Sequence, residues 1–206
     1  MKTIFIPAKA RFRINKEKIK EISQNLPKNI AIAYSIQYET ISKEIEKILA
    51  IKHNLTSFIQ VLGCSKPRFP KTTEAVLLIG SGKFHAVSLA YETKLPIYIL
   101  NQEGISQVSD KEIKALEQKH KTAHLKFLNA DKAGILISTK PGQQNLTQAL
   151  RLKKKLKKKS TYLFISNNID PNEFENFQIK SWVNTSCPRM DFDTSIINID
   201  KLNLRK

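Results

Sequence analysis

An α/β protein of two similar small parallel-sheet domains with flanking helices is the fold class this sequence predicts. Three observations lead there. Short runs that are apolar or nearly so recur, among them Ala75-Val76-Leu77-Leu78-Ile79 and Gly134-Ile135-Leu136-Ile137-Ser138, and runs of this kind mark strands buried on both faces. Stretches with helical spacing lie between them, and strand–helix–strand order calls for parallel strands joined by right-handed crossovers. The order occurs twice along the 206 residues, with domains predicted at 1–128 and 129–206. The repeat is one of element order rather than of residue identity.

Taken in order, Ile4-Phe5-Ile6-Pro7 is a short apolar run, and a helix is predicted over 16–25, ended by Pro27, because proline cannot continue a helix. Residues 30–34 read as a buried strand. Over 41–52, Ile41, Ile45, Ile48 and Leu49 share one face at helical spacing. A strand at 58–61 leads into Gly63-Cys64, and the strand at 75–79 stops at Gly80-Ser81-Gly82. A helix then starts near Phe84, a strand follows at 97–100, and 111–130 is a long polar helix connecting the halves. In the second half, 134–138 is a strand, 146–159 a helix, 162–165 a strand, 171–177 a short helix and 182–184 a strand, with Cys187-Pro188 just past its end. The tail Asp193-Thr194-Ser195-Ile196-Ile197 is one more strand or a turn.

Hydrophobic residues make up 41% of the chain, enough for a packed core. No apolar run approaches the roughly 20 residues that cross a bilayer. The first residues lack a long apolar stretch before a small-residue cleavage site, so a cytoplasmic protein without a membrane partner is expected. The formal charge of +17 attracts polyanions such as RNA or an acidic protein surface. Lysine enrichment across a whole proteome gives the same number with no partner at all. The two cysteines, Cys64 and Cys187, lie far apart. A reducing cytoplasm argues against a structural disulfide, and two thiols alone cannot fill a four-coordinate metal site. On composition each reads as a buried structural thiol.

Five segments bear on chemistry. Leu78-Ile79-Gly80-Ser81-Gly82-Lys83-Phe84-His85 runs from a buried strand through a Gly-Ser-Gly turn into a helix. Glycines there let an anion approach the helix N-terminal amides, with Lys83 adding charge and His85 a donor or acid–base group; a tight turn that needs glycine explains the same letters. Ile137-Ser138-Thr139-Lys140-Pro141-Gly142-Gln143 also sits between strand and helix, where Ser138, Thr139, Lys140 and the loop amides suit a carboxylate or phosphate, or simply cap a turn. In Trp182-Val183-Asn184-Thr185-Ser186-Cys187-Pro188-Arg189 the thiolate suits a cluster ligand and Arg189 a carboxylate, while Trp182 reads as core. Val61-Leu62-Gly63-Cys64 exposes a second thiol in the same manner. Arg151-Leu152-Lys153-Lys154-Lys155-Leu156-Lys157-Lys158-Lys159 reads as a solvated helix with a two-leucine stripe, its functional alternative a polyanion contact. His53, His120 and His124 are scattered, and the i, i+4 pair His120 and His124 reads as a solvated face.

Gln60-Val61-Leu62-Gly63-Cys64, the 79–85 segment, the 138–143 segment and the 182–189 segment stand in the order found in archaeal diphthamide synthase, which the chain resembles in its second and third domains. The resemblance implies an iron–sulfur enzyme of three similar α/β domains, each giving one cysteine to a single [4Fe–4S] cluster that cleaves S-adenosylmethionine. A 3-amino-3-carboxypropyl group is then added to a histidine of elongation factor 2, the first step of diphthamide synthesis. By motif, Cys64 and Cys187 match the cluster cysteines of the second and third domains. Gly80, Ser81, Gly82, Lys83, Phe84 and His85, with Ser138, Thr139, Lys140, Pro141, Gly142 and Gln143, match segments near the S-adenosylmethionine pocket, and Arg189 is counted with them. The family's first domain and its cysteine have no counterpart in this sequence, so the resemblance implies a split enzyme completed by a separate chain, in a homo- or hetero-oligomer, or a fragment of a longer chain. Its alternative is a basic accessory subunit that binds elongation factor 2 or RNA without catalysis.

Overall fold

The computed structural model of the chain describes residues 4, 6, 8–10, 16–190 and 194–202. The run Ile4-Phe5-Ile6-Pro7 and the tail segment from Asp193 therefore lie partly outside the described residues. The chain divides into two compact units, 1–116 and 117–206.

The first unit contains α1 (Lys16–Gln24), β1 (Asn29–Tyr34), α2 (Glu39–Leu49), β2 (Asn54–Gln60), β3 (Ala75–Ile79), α3 (Lys83–Thr93), β4 (Ile97–Leu100) and β5 (Ile105–Gln107). Its sheet has the order β2-β1-β3-β4-β5, parallel except for β5, which runs antiparallel to β4. Alternation along β1 sets the two layers. Ile30, Ile32 and Tyr34 meet Ile19 and Ile22 of α1 and Ile41, Ile45 and Leu49 of α2. Ala31 and Ala33 point the other way, under Ala86, Leu89 and Ala90 of α3. Small residues on both sides of that second interface let helix and sheet lie close. His53 ties α1 down: its Nε2 meets Ser23 Oγ at 2.7 Å and its Nδ1 meets Pro27 O at 2.8 Å.

The division between units falls within α4 (Asp110–Asn129). The second unit continues with β6 (Lys132–Ser138), α5 (Leu146–Lys155), β7 (Ser160–Ser166), β8 (Trp182–Asn184) and β9 (Ile196–Asn198). Its sheet is parallel throughout, in the order β7-β6-β8-β9. Ala123 and Phe127 of α4, with Ala149 and Leu152 of α5 and Leu156 just beyond it, cover Ile135, Ile137, Val183 and Ile197 on one face. The other face is an aromatic cluster around Trp182, which is 1% exposed. Phe174 stacks on its ring with centroids 4.1 Å apart, and Phe164 meets it edge-on at 4.8 Å. The ring lies over Gly134, where a Cβ would collide with Cε3 and Cζ3.

The sequence reading and the structure differ at several places: β2 begins at Asn54 rather than 58, and α2 ends at Leu49 rather than 52. The helix expected over 146–159 stops at Lys155. Leu156 turns inward to the core, and Lys159 leaves the helix line to donate to Leu128 O at 3.0 Å and Ala130 O at 2.5 Å, closing the end of α4. The short helix expected at 171–177 is a 3-10 turn over Pro171–Asn176, started by Asp170, whose carboxylate accepts from Asn172 N at 3.0 Å. Strand β5 was not anticipated.

Candidate functional site

In the first unit, Cys64 stands on the turn that follows β2. The Val61 amide donates to Tyr34 O at 2.8 Å, carrying the parallel ladder one residue past the strand. The chain then closes on itself, with Leu62 N donating to Ser65 Oγ at 2.7 Å and Ser65 N to Leu62 O at 2.9 Å. Cys64 is a free, exposed thiol and Cys187 a half-buried one, so neither is the core thiol that composition alone favoured.

The 80–85 segment folds beside that turn. Gly80 N donates to Leu100 O at 3.1 Å, and Gly82 opens α3 with no side-chain cap, its carbonyl accepting from His85 N at 3.1 Å. The His85 ring lies between two glycines. A Cβ at Gly63 would stand 3.2 Å from His85 Cδ2 and Nε2 and 3.1 Å from Phe84 Cε1, and one at Gly82 would run into His85 Nδ1. Both glycines thus make room for the imidazole, which rests against the residue preceding Cys64.

The same segment also faces a second way. Ser81 and Lys83 line a cleft of about 550 Å³ with Tyr38, Asn101, Glu103 and Glu112. Lys83 Nζ pairs with Glu112 Oε1 at 2.5 Å. Glu112 is also half of a reciprocal cap on α4: Ser109 N and Oγ donate to Glu112 Oε2 at 2.9 and 2.8 Å, and Glu112 N donates to Ser109 Oγ at 3.4 Å. The Lys83 hydrogen bond first, and then the Ser109 amide and hydroxyl, hold the Glu112 carboxyl down to about 2. A carboxyl lowered on folding stabilises the fold above its unfolded value and loses that contribution as pH falls through the folded value. The stability carried by Glu112 is therefore expected in full above the ordinary 4.5 and to drain away toward pH 2. Acid unfolding followed by circular dichroism checks this, since Glu112→Gln should flatten that part of the profile.

In the second unit, Lys140-Pro141-Gly142-Gln143 is a tight turn closed by Gln143 N donating to Lys140 O at 3.0 Å. Gly142, the third residue of that turn, has φ +77°, as a type II turn with proline at its second position requires. The Ser138 amide donates to Ser186 Oγ at 2.8 Å, Thr139 N to Ser166 O at 3.0 Å, and Lys140 N to Ser138 Oγ at 3.1 Å. The backbone donors of 138–140 are therefore engaged within the protein, and what the segment offers a ligand is mainly the side chains of Thr139 and Lys140.

Cys187 follows β8 on a turn pinned by two buried side-chain amides. Asn184 Nδ2 donates to Cys187 O at 2.8 Å and to Asn198 Oδ1 at 2.6 Å, and Asn198 Nδ2 donates to Pro188 O at 2.9 Å. Asn184 Oδ1 accepts from Ser186 N at 2.8 Å. Thr185 Oγ1 donates to Leu136 O at 2.7 Å, while Asn145 Nδ2, at the start of α5, donates to Thr185 O at 2.8 Å. The loop after β6, the start of α5 and the cysteine turn are thus stitched into one body, with Arg189 in the 3-10 turn Pro188–Met190 directly after Cys187. Among the described residues, no three His, Cys, Asp or Glu side chains stand together in an arrangement that holds a metal ion.

Sequence reasoning missed Glu112, Asn198 and the roles of Asn184 and Ser186. Ser109-Asp110-Lys111-Glu112 is a legible capping-box pattern. Asn198 gave no signal, because its partner lies 14 residues away.

Residues 1–196 match the protein family described as "Putative diphthamide synthesis protein". A relative from Pyrococcus horikoshii named 2-(3-amino-3-carboxypropyl)histidine synthase is 29% identical over 208 residues, covering 93% of this chain and 60% of its own length. The crystal structure of Dph2 from the same organism superposes with a TM-score of 0.79 at 26% identity, over 96% of this chain and 65% of that one. A second crystal structure of that protein, with a 4Fe–4S cluster, superposes with a TM-score of 0.73 at 27% identity, over 90% of this chain and 59% of that one. The chain therefore spans about 60% of the length of the relative it matches.

Proposed function

The chain belongs to the diphthamide synthesis protein family, and from that premise we propose that it is a subunit of a 2-(3-amino-3-carboxypropyl)histidine synthase. In this reading it serves the transfer of a 3-amino-3-carboxypropyl group from S-adenosylmethionine to a histidine of elongation factor 2. The observation that carries the reading is that the family match embraces two free thiols, each on a hydrogen-bonded turn beyond the carboxyl end of a parallel strand. Open parallel sheets place their chemistry at that end.

The donor chemistry fits a cluster in part. Cys64 and Cys187 each suit one thiolate position, and a [4Fe–4S] cluster calls for more cysteines than this chain has. The remaining ligand is proposed to come from a separate chain carrying the family's first domain. When bound, the cluster supplies the electron that cleaves a carbon–sulfur bond of S-adenosylmethionine. The chain's own residues have distinct tasks in this proposal. The 61–65 turn and the Asn184–Asn198 pair hold the two thiols in place. The uncapped start of α3, Thr139, Lys140 and Arg189 supply donors for the methionine carboxylate. His85, packed against Gly63, shields the Cys64 turn on one side.

Anaerobic iron–sulfur reconstitution followed by EPR of the reduced protein tests the proposal, with the chain alone and with a first-domain chain from the same genome. A reduced [4Fe–4S] signal that appears or sharpens with the second chain supports a split synthase. No cluster under either condition overturns it and leaves the non-catalytic accessory subunit.

A further inference from the structure

About half of the chain's net charge of +17 lies in one stretch. Between Asp131 and Asp170 there is no acidic residue, while Lys132, Lys140, Arg151 and six lysines from 153 to 159 give nine cations. The parallel pairing of β6 and β7 requires the helix between them to run back from the carboxyl end of the sheet to its amino end. Leu152 and Leu156 anchor that return to the core and leave Lys153, Lys154, Lys155, Lys157 and Lys158 exposed. The exposed Lys132 joins them, because it opens β6 in register with Ser160, the first residue of β7. None of these six lysines pairs with an acidic side chain among the described residues. Lys159 stands apart from the group: its ammonium is used on the Leu128 and Ala130 carbonyls and lies 5.2 Å from the Phe127 ring centroid.

The cluster lies at the end of the sheet opposite to Cys187. The Ser138 amide, at the last residue of β6, bonds Ser186, next to the cysteine. Lys132 is six residues back along the same strand, a rise of about 20 Å. A partner held by these lysines would leave the cysteine turn open.

We propose that this lysine cluster is a docking surface for the phosphate backbone of double-stranded RNA. Three observations favour that occupant. Six like charges without internal partners complement a regular array of phosphates. The cations are nearly all lysine, which is depleted in protein–protein interfaces, where arginine and aromatic residues are enriched. The aromatic residues of β7 offer no stacking platform there. Phe164 packs against Trp182 on the other face of the sheet, and Tyr162 shares its side by alternation, whereas Leu163 faces the α5 layer. Without bases to stack, the contact is to backbone and independent of sequence. The inference stands apart from the proposed reaction, since none of these residues belongs to either cysteine turn.

The test is fluorescence anisotropy of the full chain with a labelled RNA duplex of about 20 base pairs, titrated from about 50 to 200 mM salt. Replacing Lys153, Lys154, Lys155, Lys157 and Lys158 by glutamine is expected to weaken binding at least about tenfold and to flatten the salt slope by about four. The corresponding arginine replacement should keep both. A charge-matched control, glutamine at Lys20, Lys47, Lys52, Lys71 and Lys114, should bind as the unaltered chain does. Thermal unfolding of each variant confirms that the unit is folded. Equal loss in the control would overturn the proposal, because net charge rather than this surface would be at work. So would unchanged binding by the glutamine variant, or binding of poly-glutamate in preference to the duplex, which would point to an acidic protein.

Discussion

Serine in place of Cys64 or Cys187 is expected to lower the iron and acid-labile sulfide taken up on anaerobic reconstitution, with an affinity loss of about 100-fold or more. Removing a group that merely orients a ligand costs about 10- to 100-fold, and removing the ligand itself costs more. The two thiols are free, and they stand on turns fixed by hydrogen bonds, Leu62 N to Ser65 Oγ at one and Asn184 Nδ2 to Cys187 O at the other. A serine hydroxyl keeps the shape of either turn but is not ionised near neutral pH, so it offers iron a poor donor. Asn184→Ala makes a graded companion. It leaves Cys187 in place, removes one of the two donors to the Cys187 carbonyl (Met190 N remains) and breaks the buried bond to Asn198, and should give the smaller loss. If only one serine variant loses iron, the other cysteine is an ordinary thiol. If neither does, the cluster reading fails for this chain.

The largest loss of stability is expected from Trp182→Ala, about 3–5 kcal/mol. Trp182 is among the largest fully buried side chains and touches Phe164, Phe174 and Phe177, so the vacated space lies at the centre of the cluster on that face. For a unit of this size the midpoint of thermal unfolding should fall by roughly 12–40 °C. Gly134→Ala attacks the same contact from the strand side by overpacking, and should cost about 1–3 kcal/mol. The two changes are not independent: with the indole gone, the Cβ at residue 134 no longer meets the ring atoms. A double-mutant cycle read by denaturant unfolding should therefore show the alanine at 134 nearly harmless in the Trp182→Ala background. Additive costs would mean that the close approach of ring and glycine is not what sets the penalty.

The parallel architecture was legible because its strands are short apolar runs. Ala75–Ile79 and Trp182–Asn184 fall where the pattern puts them, and the Ile41, Ile45 and Leu49 stripe of α2 is buried as its spacing requires. Strand β5 was not legible, since Ile105-Ser106-Gln107 has one apolar residue and is defined by its antiparallel neighbour. The end of α5 was misjudged because lysine continues a helical pattern well, and only the inward turn of Leu156 stops it. The glycines at 80 and 82 were expected to let an anion approach and Gly63 to expose the thiol, and the sequence did not reveal what packs against them. At Gly63 and Gly82 it is the His85 ring rather than a ligand. At 138–140 the amides that looked available are bound to Ser186, Ser166 and Ser138. Both are contacts between distant segments, for which local pattern carries no information.

The carboxylate of Glu112 belongs at once to the cap of α4 and, through Lys83, to the start of α3. A group shared in this way links two local openings. When the first turn of α4 frays, Ser109 and Lys83 lose the same partner, and the 80–85 segment loses a restraint with it. Amide hydrogen exchange in the two segments should then follow a common opening free energy rather than two separate ones. Cys64, through Gly63 and the His85 ring, lies at the edge of that cooperative patch. A ligand that ordered the first turn of α3 would thus slow exchange at Ser109 without touching it.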